Sequence, residues 1–218
     1  ILVGSVVVVV ARRRSTVVLV EVEAPGAGAI DVELAGTAVV GPGASVEATE
    51  PTKIGPPTVG KSTSTSLRSP NLVAGGGFER PLVKDGQWAL VDSPTWQAAG
   101  PIEIWGTGHN GVTSYVGRQH LELNADGPLT IRQKFEVEPG ATYTWSFAHR
   151  GRDDVDTVEV LVDERVVATV STRPGAWAVV RGEVRIDRGQ RGIVLGLRAV
   201  DGGSKGNLID AVRFERTG

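Results

Sequence analysis

The stretch IEIWGTGHNG, residues 102–111, contains the residue types and spacing of a dinucleotide-binding fingerprint. Gly106, Gly108 and Gly111 stand at G-x-G-x-x-G directly after a strand-like segment. Such a loop holds a pyrophosphate only where its last glycine opens a helix within a βαβ unit. The next residues, 112–117 (VTSYVG), are β-branched and aromatic and end in another glycine, so they disfavour a helix. The sequence therefore argues against nucleotide chemistry and predicts that these glycines let the backbone turn sharply or approach a ligand.

The same loop carries side chains that suit a carbohydrate. A pyranose ring offers an apolar C–H face to an aromatic ring and offers hydroxyl groups to planar polar side chains. Residues of both kinds lie close together around the glycines: Trp105, His109, Asn110, Tyr115 and Gln119. Trp105 fits two interpretations, an exposed platform or a core residue at the end of a strand. His149 shares a strand face with Trp145 and Phe147, and we expect those two in the core and His149 at the rim, as a further sugar-binding residue.

Other aromatic and charged residues have more than one interpretation. Trp88, Trp96 and Trp177 suit either the core or the surface, and so many large rings in one sandwich predict at least one exposed tryptophan. Arg150 and Arg152, which stand beside three aspartates, are typical of surface ion pairs.

Signatures of catalysis are missing from the sequence. There is no G-x-S-x-G, H-E-x-x-H or P-loop motif. The chain has no cysteine, which removes thiolate nucleophiles and disulfides. A zinc site is possible only if the fold brings together His109, His120, His149 and Glu122. A pair of carboxylates such as Glu103 and Glu122 can cut a glycosidic bond in principle, but no motif in the sequence sets the distance between them. We therefore predict that the protein is not an enzyme.

Composition indicates an all-β protein without a nucleic-acid partner. The chain has 29 glycines and 12 prolines, and valine is in large excess over leucine. The net charge is −2, with basic residues scattered among acidic ones, so no basic face for a polyphosphate backbone is evident. There is no methionine, not even at position 1, and we expect that the chain begins after processing or covers part of a longer product.

The aromatic residues divide the chain into regions, because every Trp, Tyr, Phe and His lies beyond residue 77. Residues 1–46 are predicted to form a valine-rich β arm or small β domain, and residues 47–70 a linker rich in Pro, Ser and Thr. A core of valines without aromatic residues buries little apolar surface for an independent domain. We therefore expect residues 1–70 to pack on a protein partner, on another copy of the chain or on the second domain. Residues 1–14 fit a β-strand that turns at the arginines, or the stub of a truncated membrane anchor.

Residues 71–218 carry ten strand candidates separated by turns such as NADG and EPG. This number of antiparallel strands predicts a two-sheet sandwich, most often a jelly roll. The candidates are residues 88–91, 102–105, 119–123, 129–137, 142–149, 157–162, 166–171, 176–186, 191–200 and 208–215.

Four segments, NLVAGGGFERP, IEIWGTGHNGV, GRQHLELNADGPLTIRQKFEVEPGATYTWSFAHRGR and NLIDAVRFER, occur in the order found in galactose-binding-like jelly rolls. Residues 71–216 resemble this family, which includes carbohydrate-binding modules of polysaccharide hydrolases and modules of bacterial surface proteins and phage virions. The resemblance implies a non-catalytic module that binds a surface glycan or polysaccharide. It also implies one structural calcium ion held by Glu79 and Asp210, although alanine follows Asp210 where the family often has a second acidic residue.

Two functions follow from these observations. The first is a carbohydrate-binding or adhesion module, extracellular and displayed on a cell or virion surface. The second is a structural assembly protein, such as a phage capsid or tail decoration, which attaches through its N-terminal arm.

Overall fold

The protein is an all-β sandwich in the computed structural model of the chain. The structure describes the backbone of residues 5–13, 16–23 and 31–33, and it describes residues 69–124, 126–200 and 202–217 with their side chains. The helical structure within this part is one 3-10 turn, His109–Gly111. The strands are β1 (Ser5–Arg13), β2 (Thr16–Glu23), β3 (Asp31–Glu33), β4 (Trp88–Val91), β5 (Ile102–Gly106), β6 (Gln119–Glu122), β7 (Thr130–Glu136), β8 (Thr142–Arg150), β9 (Asp156–Val162), β10 (Arg165–Thr172), β11 (Ala178–Arg185), β12 (Gly192–Ala199) and β13 (Leu208–Arg216).

These strands form two antiparallel sheets. The larger sheet has eight strands in the order β1-β2-β11-β8-β13-β6-β5-β4, and the smaller has five in the order β3-β10-β9-β12-β7. Neighbours in each sheet are often far apart in sequence, as in a jelly roll. The predicted two-sheet jelly-roll sandwich is confirmed, and all ten strand candidates of residues 71–218 are strands with ends shifted by at most a few residues.

The core lies between the sheets because alternate side chains of each strand point inward. In β8, Tyr143, Trp145 and Phe147 are buried, as the period of two predicts. The two layers meet where the ring of Phe135 in β7 lies 4.9 Å from that of Phe214 in β13.

The N-terminal strands add to both sheets. Antiparallel pairing joins β1 to β2, β2 to β11, and β3 to β10. The interpretation of the opening residues as a strand that turns near its arginines agrees with this hairpin. The helix that the structure describes is too short to cross a membrane. Most of the predicted linker, residues 47–68, lies outside the described residues, and the domain boundaries stay a prediction.

Candidate functional site

The outer face of the eight-stranded sheet carries an aromatic row that runs across three strands. In β5 and β6, Ile104 and Leu121 belong to the core, so the residues next to them in sequence point to the opposite side. Residues directly opposite each other in antiparallel strands share one face of the sheet. The members of the aromatic row are such cross-strand partners: Trp88, Trp105 and His120.

A second row follows the same face one step further along the strands. Its members are also direct cross-strand partners, and most are charged. They are Leu90, Glu103, Glu122, Leu208 and Arg150. We call these two rows together the outer-face cluster.

Trp105 lies inside this cluster and is not an exposed platform. It is 0% exposed, because other side chains cover both its face and its edge. The guanidinium of Arg152 lies 4.7 Å from the ring centroid, and the ring of His109 approaches at 4.5 Å. The indole Nε1 donates a hydrogen bond of 2.6 Å to Glu103. Of the two interpretations of Trp105, the structure supports the buried one, so this residue cannot stack directly on a sugar.

The glycines of residues 102–111 serve the backbone. A Cβ on Gly106 would lie 2.1 Å from the carbonyl oxygen of Lys84, so only glycine allows this close approach. Gly108 and Gly111 have φ values of 87° and 74°, which side-chain-bearing residues rarely adopt. The chain then continues in extended conformation at Val112 instead of opening a long helix. The exclusion of a nucleotide fingerprint is therefore supported by the fold.

His109 and Asn110 lie in the turn that folds over Trp105. The Nδ1 atom of His109 is 3.1 Å from the carbonyl oxygen of Gly86, and this side chain is half-buried. Asn110 is exposed and has a φ of 46°, the left-handed conformation that asparagine tolerates better than most residues. Both predicted residues therefore lie at the margin of the outer-face cluster.

Two other aromatic residues offer accessible rings beside the cluster. Tyr115 is 43% exposed, and its ring lies 6.3 Å from that of the half-buried Trp177. Trp177 contacts His120 with ring centroids 5.4 Å apart and donates a 2.9 Å hydrogen bond to the carbonyl oxygen of Thr113. Trp88, 52% exposed, confirms the prediction of an exposed tryptophan. The sequence did not decide whether Trp177 lies in the core or at the surface, because this residue precedes β11 and reaches the site only through the pairing of distant strands.

A buried ion pair crosses the outer-face cluster. Arg152 Nη1 lies 2.7 Å from Glu122 Oε1, which also accepts a hydrogen bond from the backbone N–H of Gly206 at 3.1 Å. Burial raises the pKa of Glu122 to about 7, and Glu103 contributes in the same direction, while Arg152 opposes the shift. The predicted ion pairing of Arg152 with its neighbouring aspartates is confirmed in part: Arg152 Nε lies 3.8 Å from Oδ2 of the exposed Asp153, but its closer partner, Glu122, is fully buried.

Unpartnered polar atoms concentrate in this region. The Nδ1 atom of His120 is 3.0 Å from the hydroxyl of Ser114, and burial, with a further contribution from Arg150, lowers the pKa of His120 to about 4. The ring is therefore neutral at pH 7. Most of the buried side-chain atoms without a hydrogen-bond partner among the described residues lie here: His120 Nε2, Glu122 Oε2, Arg150 Nε and Arg152 Nε. Because these atoms are buried, they make the interior of the cluster polar and are not exposed to a ligand.

Gln119 is fully buried and holds the chain that leads to β4. Its Nε2 donates to the carbonyl oxygens of Phe78 and Pro81, at 2.7 and 3.0 Å, and its Oε1 accepts from the N–H of Val83 at 2.5 Å. All these bonds satisfy buried backbone groups. The prediction that Gln119 binds sugar is therefore wrong.

His149 is likewise fully buried, and the expectation of a rim position is wrong. Its Nε2 is 2.8 Å from Asn207 Oδ1 and its Nδ1 is 3.2 Å from Thr172 Oγ1. Burial lowers its pKa to about 4, so the neutral ring is part of a hydrogen-bonded network inside the sandwich. A sugar hydroxyl has no access to this residue.

Glu79 and Asp210 hold the segment that leads into β6. Glu79 Oε1 accepts from the N–H groups of Arg118 and Gln119 at 2.8 and 3.2 Å, and Asp210 Oδ2 accepts from that of Val116 at 3.0 Å. Burial raises the pKa of Asp210 to about 7, and the charge of Glu79 adds to the shift. The two acidic groups are therefore close enough to interact, and a hard cation between them fits this arrangement.

No larger metal-binding group is formed by the described residues. They contain no cluster of three or more His, Cys, Asp or Glu side chains that suits a metal ion. The three histidines and Glu122 therefore do not converge on zinc. A calcium ion at Glu79 and Asp210 would need backbone carbonyl oxygens to complete its coordination.

Comparison with known proteins places this fold among carbohydrate-binding modules. No family model and no curated protein matches the sequence. TmCBM61, solved in complex with beta-1,4-galactotriose, aligns over 68% of this chain and 100% of its own, with 18% identity and a TM-score of 0.50. A family 16 carbohydrate-binding module aligns over 66% of this chain and 99% of its own, with 14% identity and a TM-score of 0.44. The chain has a jelly-roll fold of the kind found in carbohydrate-binding modules.

Proposed function

We propose that the protein is a non-catalytic carbohydrate-binding module whose ligand lies on the outer-face cluster. The observation that carries this proposal is the pair of accessible rings, Tyr115 and Trp177, which lie 6.3 Å apart beside the cluster. A sugar ring stacks on these aromatic side chains, and its hydroxyl groups bond to the accessible His109 and Asn110 at the margin of the cluster. The fold shared with carbohydrate-binding modules supports the same function.

The carboxylates of the cluster favour binding over catalysis. Glu103 and Glu122 are direct cross-strand partners, which is the kind of pair that a glycosidase needs. However, Glu103 accepts a hydrogen bond from Trp105, and Glu122 is fully buried and paired with Arg152. Neither carboxylate is placed to reach a glycosidic bond from opposite sides.

The test is a glycan-array screen of the full chain, followed by titration calorimetry of the best ligand. Tyr115→Ala and Trp177→Ala are each expected to weaken binding about fivefold or more, because truncating an aromatic anchor at the centre of an interface costs over about 1 kcal/mol. Leu82→Ala, at a side chain that is 71% exposed, is the control and should leave affinity unchanged. Binding that survives both aromatic substitutions would contradict the proposed site.

Attachment through the N-terminal strands is the second candidate function. The position of β1 and β3 favours it, because each is the edge strand of a sheet, where a strand of another molecule can pair. In either case we place the module outside the cell, on a cell or virion surface. Oligomers in light scattering that are unaffected by Tyr115→Ala, together with no binding on the array, would favour assembly.

We also propose calcium at Glu79 and Asp210, where it would stabilise the segment leading into β6. Calcium at about 100 times its dissociation constant adds about 2.7 kcal/mol, which raises Tm by about 5–11 °C for a chain of this size. Thermal melts at pH 8 with calcium or a chelator measure this shift. It should vanish in Asp210→Asn and persist in Asp187→Asn, which alters an exposed carboxylate. Equal shifts in both variants would refute the site.

A further inference from the structure

Arg150 ends β8 on the outer face, and its charge has no partner within the described part of the chain. Its cross-strand neighbour is the apolar Leu208, and its side chain is half-buried. The Nε atom is buried and makes no hydrogen bond, and no ion pair of this side chain is found among the residues that the structure describes. By contrast, the nearby Arg152 pairs with Glu122. A guanidinium that is partly removed from water and left unpaired costs free energy unless an anion binds it.

The position of Arg150 connects it with the accessible rings. Ala178 pairs with His149 at the end of the ladder between β8 and β11, and the residues that adjoin this pair on the two strands are Trp177 and Arg150. The positive charge of Arg150 contributes to the lowered pKa of His120, so the two side chains are close. The ring of His120 in turn contacts Trp177. The unpaired cation is therefore part of the outer-face cluster.

We propose that the outer-face cluster binds an anionic sugar, with the carboxylate or sulfate of the sugar on Arg150 and its ring on Trp177 and Tyr115. This inference rests on the proposed carbohydrate-binding function and adds the class of ligand. The planar guanidinium binds two oxygens of such a group in parallel, which gives geometric selectivity as well as affinity. Arg152 already neutralises Glu122, so Arg150 is the cation that remains for a ligand.

The probes are polyuronates, each paired with the neutral polymer made by reducing its carboxyl groups. Polygalacturonate, alginate and hyaluronan serve as the acidic set, and carrageenan with its desulfated form distinguishes sulfate from carboxylate. Titration calorimetry on the full chain should show at least one acidic polymer that binds about tenfold or more tightly than its neutral counterpart. Arg150→Gln should abolish this difference, and Arg150→Lys should restore part of it, because lysine keeps the charge without the planar fork.

The control variant is Arg165→Gln, an exposed arginine at the start of β10 in the other sheet, which should bind like the wild type. Thermal melts of all variants check that they are folded. Equal binding of acidic and neutral polymers, or unchanged affinity in Arg150→Gln, would overturn the anionic-sugar proposal. If neutral glycans bind and Tyr115→Ala weakens their binding, the proposed carbohydrate-binding function stands and only the preference for anionic sugars is lost. If no glycan of either kind binds, both proposals are overturned.

Discussion

Replacing Gly182 with alanine is expected to destabilise the sandwich, because the new methyl group would enter the space of a core tryptophan. Gly182 in β11 is the cross-strand partner of Trp145 in β8. A Cβ at this position would lie 2.1 Å from Cζ2 and 2.4 Å from Cε2 of the indole. Trp145 is 1% exposed, so its ring has no solvent-filled space into which it can move. Either the ring leaves its rotamer or the two strands separate locally.

The magnitude follows from two opposing effects. Overpacking a well-filled core costs about 1–3 kcal/mol. The loss of glycine freedom in the unfolded chain offsets about 0.4–1 kcal/mol of this. A contact of 2.1 Å puts the overpacking cost at the upper end of this range, so the net loss is about 2–2.6 kcal/mol. Since 1 kcal/mol shifts Tm by about 2–4 °C at this chain length, Tm should fall by about 4–10 °C.

Urea denaturation and calorimetry of Gly182→Ala, Trp145→Phe and the double variant measure the effect. Phenylalanine lacks the second ring that the methyl group would strike, so the penalty should shrink by about 1 kcal/mol in the Trp145→Phe background. Gly192→Ala is the matched control, because its nearest neighbour would be Lys134 Cε at 3.6 Å, an ordinary contact. A stable Gly182→Ala protein, or the same penalty with and without Trp145, would refute the reasoning.

The buried polar residues give two further predictions. Gln119→Ala should lower the free energy of unfolding by about 1–3 kcal/mol, because it leaves the backbone groups of Phe78, Pro81 and Val83 without their partner. An unchanged midpoint of urea denaturation would contradict this role. Burial lowers the pKa of His149 to about 4 in the folded state, whereas the pKa of an unfolded histidine is about 6.5. The unfolded state therefore binds the proton first as the pH drops, and the free energy of unfolding falls between about pH 6.5 and pH 4. The loss from this group should reach about 2 kcal/mol at pH 5, and a His149→Gln protein with the same pH dependence as the wild type would show that another group is responsible.

Local pattern was sufficient to predict the strands of residues 71–217. Trp88–Val91 is a strand with the predicted ends, and Tyr143, Trp145 and Phe147 are buried on the face that their alternation indicates. Such features depend on residues close in sequence, because pleating and turn geometry are local properties of the backbone.

The site was predicted only in part, because period two shows which residues share a face but not what covers that face. Trp105 and Gln119 have the residue types of a sugar site, yet the turn after β5 buries the first, and the chain before β4 uses the second.

The sequence by itself determined the all-β class, the strand positions and the loop that carries His109 and Tyr115. Only the tertiary structure decided that Trp177 and Arg150 join this loop, because strand pairing between distant segments sets which side chains become neighbours. Burial, and with it the unpaired state of Arg150, exists only once those strands are packed together.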